Sequence, residues 1–462
     1  MKLQAVILAA GAGTRMKSKL PKVLHKVCGE TMLQHVIDVA WESGIEENIV
    51  IIGHGAQQVK DTLDTGIKTL LQKEQLGTGH AVMMAKDELL QKGSIVVLNG
   101  DGPLITKETL KALITHHQEG KYDATVLTTE LENPYGYGRI IRKENNQLKG
   151  IVEEKDATTE EKNVKEINSG IYCFDAEALR KALPLIDNNN AQGEYYLTDT
   201  LTILMNMEKP VGLYRTKDYE DIMAVNSRNQ LSEVEEIMRR RIAHKHMAEG
   251  VTIINPQHSY IEKRVKIAAD TIIYPGVTLA GDTVIGEDSI IGNNSRIENS
   301  TIGQGVNIQN STIVNSSVGD YSSVGPYAYL RPNSHIGKHV KIGDFVEIKN
   351  STIGDHSKAS HLAYIGDAEI GKNVNIGCGV VFVNYDGKDK HKTIIKDNGF
   401  VGSNSNLIAP LVVEESGYIA SGSTITKTVP EGSLAVSRSR QENKDGWVKR
   451  KGLLKTKEDN GK

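Results

Sequence analysis

The sequence predicts two architectures in one chain, a doubly wound α/β domain followed by a parallel β-helix of six-residue repeats. Short apolar runs alternate with helical stretches up to about residue 226, an amphipathic segment follows, and beyond it aliphatic residues recur at every sixth position. The 462 residues are enough for two or three domains with sizeable cores.

The first half reads as strands that alternate with helices. The runs "AVILAAG", "NIVIIGH" and "SIVVLNGD" are apolar and short, whereas "TMLQHVIDVAWESG", "AVMMAKDELLQ" and "ETLKALITHHQEG" have helical periodicity. This order predicts parallel strands joined by crossover helices, a Rossmann-like arrangement. Ligands bind at the carboxyl ends of such strands, where the loops "GAGTRM" and "NGDGP" fall.

Residues 227–248 are predicted to form a linker helix. Leu231, Val234, Met238 and Ile242 recur at helical spacing, and Ser232 with Glu235 fits a capping box. The run "RRR" at 239–241 is more typical of a solvated helix face than of a nucleic-acid contact.

The second half shows a six-residue period. Aliphatic residues stand at Ile261, Ile267, Ile273, Leu279, Ile285, Ile291 and Ile297, and the pattern resumes after one-residue slips as far as Ile376. Such a period is typical of a parallel β-helix, in which each coil stacks its aliphatic corner on the next. The polar stretch Phe382–Ile395 interrupts the repeat, and a loop inserted in a solenoid is typical of a binding face.

Composition narrows the function classes. Lysine and arginine total 55 against 58 acidic residues, so global charge does not favour a nucleic-acid or membrane partner. Three dispersed cysteines, Cys28, Cys173 and Cys378, suit a reducing cytoplasm. We expect neither a signal peptide nor a membrane span.

The opening loop carries the first family resemblance. Residues 8–22, "LAAGAGTRMKSKLPK", lack the third glycine of a dinucleotide fingerprint and the ending of a P-loop, but bring glycines, Arg15 and Lys22 to a strand end, where phosphates can be held. With "RM" and "PK" attached, the stretch resembles the signature of the sugar-nucleotide pyrophosphorylases. "QLGTGHA" is similar to their uracil-side loop, and "NGDGPL" places Asp101 where a carboxylate can hold Mg²⁺.

The resemblance implies a set of residues for the first half. The implied UDP-sugar contacts are Leu8, Ala9, Ala10, Gly11, Lys22, Gln72, Gly77, Thr78, Gly138, Glu153, Asn168 and Asn226. Arg15 and Lys22 are the implied catalytic cations, and Asp101 with Asn226 the implied Mg²⁺ ligands. Asn99 stands where this family more often has Tyr or another residue.

Taken with the repeats, nearly the whole chain resembles the bacterial bifunctional N-acetylglucosamine-1-phosphate uridyltransferases and glucosamine-1-phosphate acetyltransferases. In that family the β-helix is left-handed and the protein a homotrimer, with acetyl-coenzyme A between subunits. The implied domains are 1–226 for uridylyl transfer, 227–248 for the linker helix, 249–437 for acetyl transfer, and a basic tail at 438–462.

The same resemblance implies the acetyltransferase residues. Contacts to the acetyl acceptor are Arg331, Lys349, Tyr364 and Asn375; contacts to acetyl-coenzyme A are Cys378, Asn384, Tyr385, Lys390, Ser403, Ser421 and Arg438. Cys378 and Ser421 stand where the family commonly has Ala. His361 is the candidate base, because the amine of glucosamine 1-phosphate must lose a proton and an imidazole, with a pKa of about 6.5, is suited to take it.

The expected substrates are therefore UTP with N-acetylglucosamine 1-phosphate, and acetyl-coenzyme A with glucosamine 1-phosphate. Three other hypotheses compete with this interpretation. One is a pyrophosphorylase that uses the β-helix only for assembly, and another is a regulatory scaffold without activity. The third is a zinc-dependent hydratase whose ligands would come from His335, His339, His356 and His361.

Overall fold

The structure is a computed structural model that describes residues 2–453, so residues 454–462 of the predicted basic tail lie outside the described residues. The chain divides into two compact units. The first comprises residues up to Lys245 together with Ile261–Lys263, and the second comprises His246–Tyr260 and the residues from Arg264 on. The predicted boundaries at residues 226, 248 and 437 stay predictions. No helix within residues 2–453 is long and apolar enough to cross a membrane.

The first unit alternates strands and helices. Its strands are β1 Leu3–Ala9, β2 Lys26–Val27, β3 Glu30–Thr31, β4 Glu47–Ile52, β5 Lys68–Leu71, β6 Ser94–Asn99, β7 Ala124–Glu130, β8 Arg139–Arg142, β9 Leu148–Val152, β10 Glu166–Asp175 and β11 Val211–Arg215. Its helices are α1 Met32–Glu42, α2 Ala56–Asp61, α3 Thr78–Met83, α4 Lys107–Glu119, α5 Ala176–Ala182 and α6 Asp199–Asn206, and α7 Arg228–Ala248 runs across the boundary of the two units.

The main sheet of this unit has the order β11-β7-β10-β6-β1-β4-β5. Alternate side chains of each buried strand enter the cores on its two faces, as Val6 and Ile7 of β1 do. Strand β1 is parallel to β4 and β6, and Leu8 is level with Asn99 of β6. The loops "GAGTRM" and "NGDGP" therefore leave the sheet at one edge, as predicted.

Three details differ from the sequence prediction. Strand β10 is antiparallel to β6 and β7, because hydrophobic periodicity does not encode strand direction. The stretch "AVMMAKDELLQ" is helical only to Met83, after which amides bond three residues back as tight turns. Helix α7 begins at Arg228, where the Ser227 hydroxyl accepts from the Gln230 amide at 3.3 Å, so the predicted box at Ser232 lies inside the helix.

The second unit is a parallel β-helix whose strands pair along three ladders. The first ladder holds Thr252–Ile253, Ile272–Ile273, Ile290–Ile291, Asn307–Ile308, Ser323–Val324, Asn375–Ile376, Phe400–Val401, Tyr418–Ile419 and Leu434–Ala435. The second holds Thr278–Ala280, Arg296–Glu298, Thr312–Val314, Tyr329–Leu330, Val381–Val383, Asn406–Ile408 and Thr424–Ile425. The third holds Lys266–Ile267, Val284–Ile285, Thr301–Ile302, Ser317–Val318, Ser334–Ile336, Ser351–Ile353, Ala368–Ile370, Thr393–Ile395 and Leu411–Val413.

Two long strands, Lys341–Lys349 and Lys358–Gly366, belong to the first and second ladders at once. The short strand Tyr260–Ile261 spans the boundary of the units, and helix α8 covers Trp447–Arg450.

The six-residue period corresponds to the buried positions of the coils. The aliphatic residues predicted to point inward are buried, Ile273, Ile308 and Ile348 among them. Two of the one-residue slips, Ile297 to Ile302 and Ile348 to Ile353, fall at the corner before the third ladder, where Asn299 and Asn350 take positive φ. Asparagine tolerates this left-handed conformation. The stretch that interrupts the repeat leaves the coil as a loop, closed by a bridge between Tyr385 and Lys390.

Candidate active sites

The first unit contains a cavity of about 260 Å³ at the carboxyl end of β1. The predicted residues that line it are Leu8, Ala9, Ala10, Gly11, Lys22, Gln72, Gly77, Thr78 and Asp101. They come from the segments that follow β1, β5 and β6, which the parallel order β6-β1-β4-β5 brings to one edge. The structure thus gathers most of the residues that the resemblance implies for this site.

Lys22 lies between the two residues predicted to bind metal. Its Nζ donates a hydrogen bond to Asp101 Oδ2 and another, at 3.0 Å, to Asn226 Oδ1. One carboxylate oxygen and one amide oxygen therefore converge on a single cationic atom. Oxygen ligands of this kind suit Mg²⁺, so the pair fits the predicted ion.

The wall beside the cavity depends on a glycine. Gln72 is buried, and its Nε2 contacts Gly77 O at 3.2 Å and His80 Nδ1 at 3.0 Å. Gly77 has a φ of 111°, and a Cβ there would lie 2.5 Å from Tyr195 O. Any larger residue would clash with the backbone at Tyr195 unless this loop shifted.

The predicted sugar contacts form a second group that does not line this cavity. The Asn168 amide donates to Gly138 O at 2.9 Å, and Asn168 Nδ2 donates to the Tyr172 hydroxyl at 2.7 Å. A Cβ at Gly138 would lie 3.1 Å from Glu153 Oε1. Burial raises the pKa of Glu153, with Asp156 and Asp199 adding to the effect. We call Gly138, Glu153 and Asn168 the sugar cluster.

Sequence reasoning placed some residues differently from the structure. Arg15 is exposed on the short helix Thr14–Met16 and does not line the cavity. Further lining residues are Val23, Gln75, Ala81, Asn99 and Glu194. Gln75 and Asn99 stand inside the motifs already singled out, whereas no pattern in the sequence pointed to Glu194.

In the second unit, His361 is paired with a carboxylate. Its Nδ1 lies 2.7 Å from Asp344 Oδ1, and the two residues are in register on adjacent coils. The hydrogen bond to His361 lowers the pKa of Asp344, so this group is an anion at neutral pH. A carboxylate can only accept, so the proton resides on Nδ1 and the outer Nε2 is left as a base. Asp344 was missed, although it stands 17 residues before His361, one coil earlier.

Residues predicted to bind acetyl-coenzyme A form a column with His361. Ala359 pairs with Ile376, Ile376 with Val401, and Val401 with Ile419. The residues two positions further on occupy one corner in successive coils, and they are His361, Cys378, Ser403 and Ser421. Below this column, Arg438 Nη1 donates to Ser421 O at 2.6 Å.

A cationic cluster lies at the next corner of the coils, where the second ladder ends. Leu330 is level with Ile348, which places Arg331 beside Lys349. Contact with the Lys390 side chain lowers the pKa of Lys349, and the charge of Arg331 adds to this effect. Grouped cations that disfavour one another's charge are suited to hold an anion such as a phosphate. Tyr364, on the strand between His361 and this cluster, completes the face.

The remaining predicted contacts are more dispersed. Asn384 Nδ2 donates to Asp367 Oδ2, and Tyr385 lies exposed in the inserted loop. Asn375 pairs with Lys358 and Phe400 on the first ladder, whereas Tyr364 pairs with Val381 on the second. One chain therefore places Asn375 and Tyr364 on different faces.

The histidines of the zinc hypothesis do not converge. His335 Nδ1 contacts Ser317 Oγ at 3.0 Å, while the rings of His339 and His356 stack on each other with centroids 4.9 Å apart. Within residues 2–453, no group of three or more His, Cys, Asp and Glu side chains could hold a metal ion. The four histidines of one chain therefore do not form a ligand set by themselves.

Two family matches cover the two units separately. Residues 4–236 match the Nucleotidyl transferase family, and residues 264–299 and 315–350 match the Bacterial transferase hexapeptide (six repeats) family. The α/β unit with its nucleotide-type cavity and the β-helix with its His–Asp pair define a bifunctional transferase.

Full-length relatives identify the family. The chain is 68% identical to a protein of Alkaliphilus metalliredigens and 70% identical to one of Alkaliphilus oremlandii, over 98% of this chain and all of each relative. It is 61% identical to a protein of Clostridioides difficile over 98% of both chains, and all three relatives are called bifunctional protein GlmU. The chain belongs to the bifunctional GlmU family and is both a uridylyltransferase and an acetyltransferase.

Proposed function

We propose that the second unit acetylates glucosamine 1-phosphate and that the first unit converts the product, with UTP, into UDP-N-acetylglucosamine and pyrophosphate. The observation that carries this proposal is that each unit holds the central groups for one step, Lys22 with Asp101 and Asn226 in the first and His361 with Asp344 in the second. The full-length identity to bifunctional relatives favours two activities over a pyrophosphorylase that uses its β-helix only for assembly.

In uridylyl transfer, a phosphate oxygen of N-acetylglucosamine 1-phosphate forms a bond to the α-phosphorus of UTP while the bond to pyrophosphate breaks. Such transfers depend on positioning and on neutralising charge. The backbone around Gly11 and the cation of Lys22 serve the phosphates, and the sugar cluster orients the acceptor. Asp101 and Asn226 would hold Mg²⁺, which supplies further positive charge at the phosphates when bound.

In acetyl transfer, the amine nitrogen forms a bond to the thioester carbonyl carbon and the carbon–sulfur bond breaks. His361 Nε2 takes the proton that the amine loses and then gives it to the leaving coenzyme A thiolate. Asp344 holds the imidazole in the tautomer that leaves Nε2 free, as the carboxylate does in a Ser-His-Asp triad. Arg331 and Lys349 bind the sugar phosphate, and Lys390, whose side chain contacts Lys349, stays among the acetyl-coenzyme A contacts.

We also propose a homotrimer whose acetyltransferase sites lie between copies. This proposal is supported by the separation of Asn375 from Tyr364 on different faces of one chain. Cysteines that are all free thiols among residues 2–453 suit the cytoplasmic location predicted from the sequence.

A coupled assay tests the order of reactions. Glucosamine 1-phosphate, acetyl-coenzyme A, UTP and Mg²⁺ should together yield UDP-N-acetylglucosamine, and omission of acetyl-coenzyme A should abolish it.

His361→Ala should lower acetyl transfer by about 10²- to 10⁴-fold, and Asp344→Asn should lower it less, by about 10- to 100-fold, because the base remains but loses its orientation. Uridylyl transfer should be unchanged in both variants. Near-normal acetylation by His361→Ala would remove His361 from the role of base.

A further inference from the structure

Arg139, the first residue of β8, is an unusual member of the protein core. Its side chain is 2% exposed, and its Nε is a buried donor that has no hydrogen-bond partner in residues 2–453. Burial of a guanidinium is costly unless it is paired, and a well-packed apolar side chain in the same place is often at least as stabilising. A contribution to stability alone therefore does not explain why an arginine occupies this buried position.

Two partners of Arg139 hold one short segment of backbone, and a third, longer hydrogen bond runs from Nη2 to Lys162 O at 3.5 Å. Arg139 Nη1 donates to Tyr137 O, and Nη2 donates to Glu154 Oε2 at 2.7 Å. The same Glu154 oxygen accepts from the Gly136 amide at 3.1 Å. The two side chains therefore fix residues 136 and 137 through one carbonyl and one amide.

The segment held in this way belongs to the sugar cluster. Gly138 lies between Tyr137 and Arg139, and its carbonyl accepts the Asn168 amide. Glu153 is the neighbour of Glu154, and it lies close enough to Gly138 that a Cβ there would come within 3.1 Å of its carboxylate. A displacement of either partner would thus move a predicted sugar contact.

We propose that Arg139 and Glu154 are positioning residues that set the affinity of the first unit for the N-acetylated sugar phosphate. The affinity for UTP does not depend on them. The inference rests on the proposed function, because it assumes that the sugar cluster holds the acceptor. The UTP side is built by other loops, around Gly11, Gln72 and Gly77, and neither Arg139 nor Glu154 lines the cavity there.

The test uses the full-length chain and four variants. Glu154→Gln keeps the size of the side chain and removes its charge. Arg139→Lys keeps the positive charge but loses the two-pronged guanidinium that donates to Tyr137 and Glu154 at once. Arg139→Met loses both the charge and the donors. Arg142→Met is the matched control, because Arg142 leaves the same strand and donates to Glu166 at 2.6 and 2.7 Å. For each protein, the KM for N-acetylglucosamine 1-phosphate and the KM for UTP are measured with the other substrate saturating, together with the thermal midpoint.

Glu154→Gln and Arg139→Lys should each raise the KM for the sugar phosphate roughly tenfold, because a charge-assisted hydrogen bond is weakened in both. The KM for UTP should change less than twofold in both variants, and Arg142→Met should leave both constants within twofold. An equal rise in both constants, or a lowered thermal midpoint with an unchanged sugar KM, would show that the ion pair is merely structural. If Arg139→Met does not fold, the result for Glu154→Gln decides whether the ion pair positions the sugar cluster. Glu154→Gln is expected to fold, because the buried Arg139 guanidinium still has a neutral amide oxygen as hydrogen-bond acceptor.

The wild type separates this inference from the proposed function. If the wild-type protein makes no UDP-sugar from N-acetylglucosamine 1-phosphate, the proposed function is wrong. If it does so and the variants keep its sugar KM, only the positioning role of Arg139 and Glu154 is wrong.

Discussion

Cys378 is a residue whose position matters more than its type. It occupies the corner between His361 and Ser403 in the column proposed to bind acetyl-coenzyme A, and its side chain is exposed. The other two cysteines are buried. Burial raises the pKa of Cys28, with Glu235 adding to it, and burial likewise raises the pKa of Cys173. Thiolates are the reactive form of cysteine, so burial and a raised pKa both protect Cys28 and Cys173. Of the three thiols, Cys378 is therefore the one that a reagent reaches easily.

A small alkylating reagent at neutral pH should therefore modify Cys378 first. We expect acetyl transfer to be lost and uridylyl transfer to be spared, because the adduct fills the proposed thioester pocket. Acetyl-coenzyme A should slow the inactivation. Peptide mass mapping identifies the modified residue, and the two assays follow each activity.

Cys378→Ala is the control for this experiment. It should keep acetyl transfer, since Ala is smaller than Cys and fits the same corner, and should make the activity resistant to the reagent. A variant that remains equally sensitive would place the inactivating thiol elsewhere.

At the scale of single elements, the sequence predicted the features that burial of apolar side chains determines. It missed strand direction and the pairing of polar side chains, which burial does not determine. Inward residues such as Ile273 were predictable because every coil must bury one aliphatic side chain per face. The antiparallel direction of β10 was not, because the same alternation fits either direction. The contact of Asp344 with His361 could have been predicted, because a residue one coil before His361 lies beside it. That prediction would have needed the number of residues in this particular coil. The pairing of Arg139 with Glu154 depends on tertiary structure that no local pattern encodes.

Helix α6 begins with an acidic residue in an unfavourable place. Asp199 is partly buried, and burial together with the carboxylates of Asp187 and Asp156 raises its pKa from 3.8 to about 6. The folded protein therefore binds this proton more tightly than the unfolded chain does. The resulting stability is fully present below about pH 4 and is lost as the pH rises through about 6.

Asp199→Asn should remove this pH dependence. We expect the thermal midpoint of uridylyl-transfer inactivation to rise in the variant at pH 8, where Asp199 is charged and destabilising, and to change little at pH 4.5. Asp187→Asn, which removes a neighbouring charge, should give a smaller rise at pH 8. A rise of equal size at both pH values would mean that the substitution acts through packing rather than through the charge.

The whole molecule assigns the two reactions to separate sets of residues. The predicted residues of the first site end at Asn226, and those of the second begin at Arg331. The first compact unit nevertheless includes Ile261–Lys263. There the Lys263 amide donates to Cys28 O at 3.0 Å, and Lys263 Nζ pairs with Asp38.

A chain that ends at Ala248 should keep uridylyl transfer and lose acetyl transfer. It should also unfold more readily than one that ends at Lys263, because it lacks one backbone hydrogen bond and one ion pair, together worth about 1–2 kcal/mol. Asp101→Asn in the full-length chain should have the opposite effect on activity, abolishing uridylyl transfer and sparing acetylation, since its carboxylate serves only the first site. Both activities are measured on each protein, with circular dichroism to confirm folding and to compare the unfolding of the two truncated chains. If the chain that ends at Ala248 folds and yet makes no UDP-sugar from N-acetylglucosamine 1-phosphate and UTP, the first site needs residues beyond the linker helix and the two reactions are not separable.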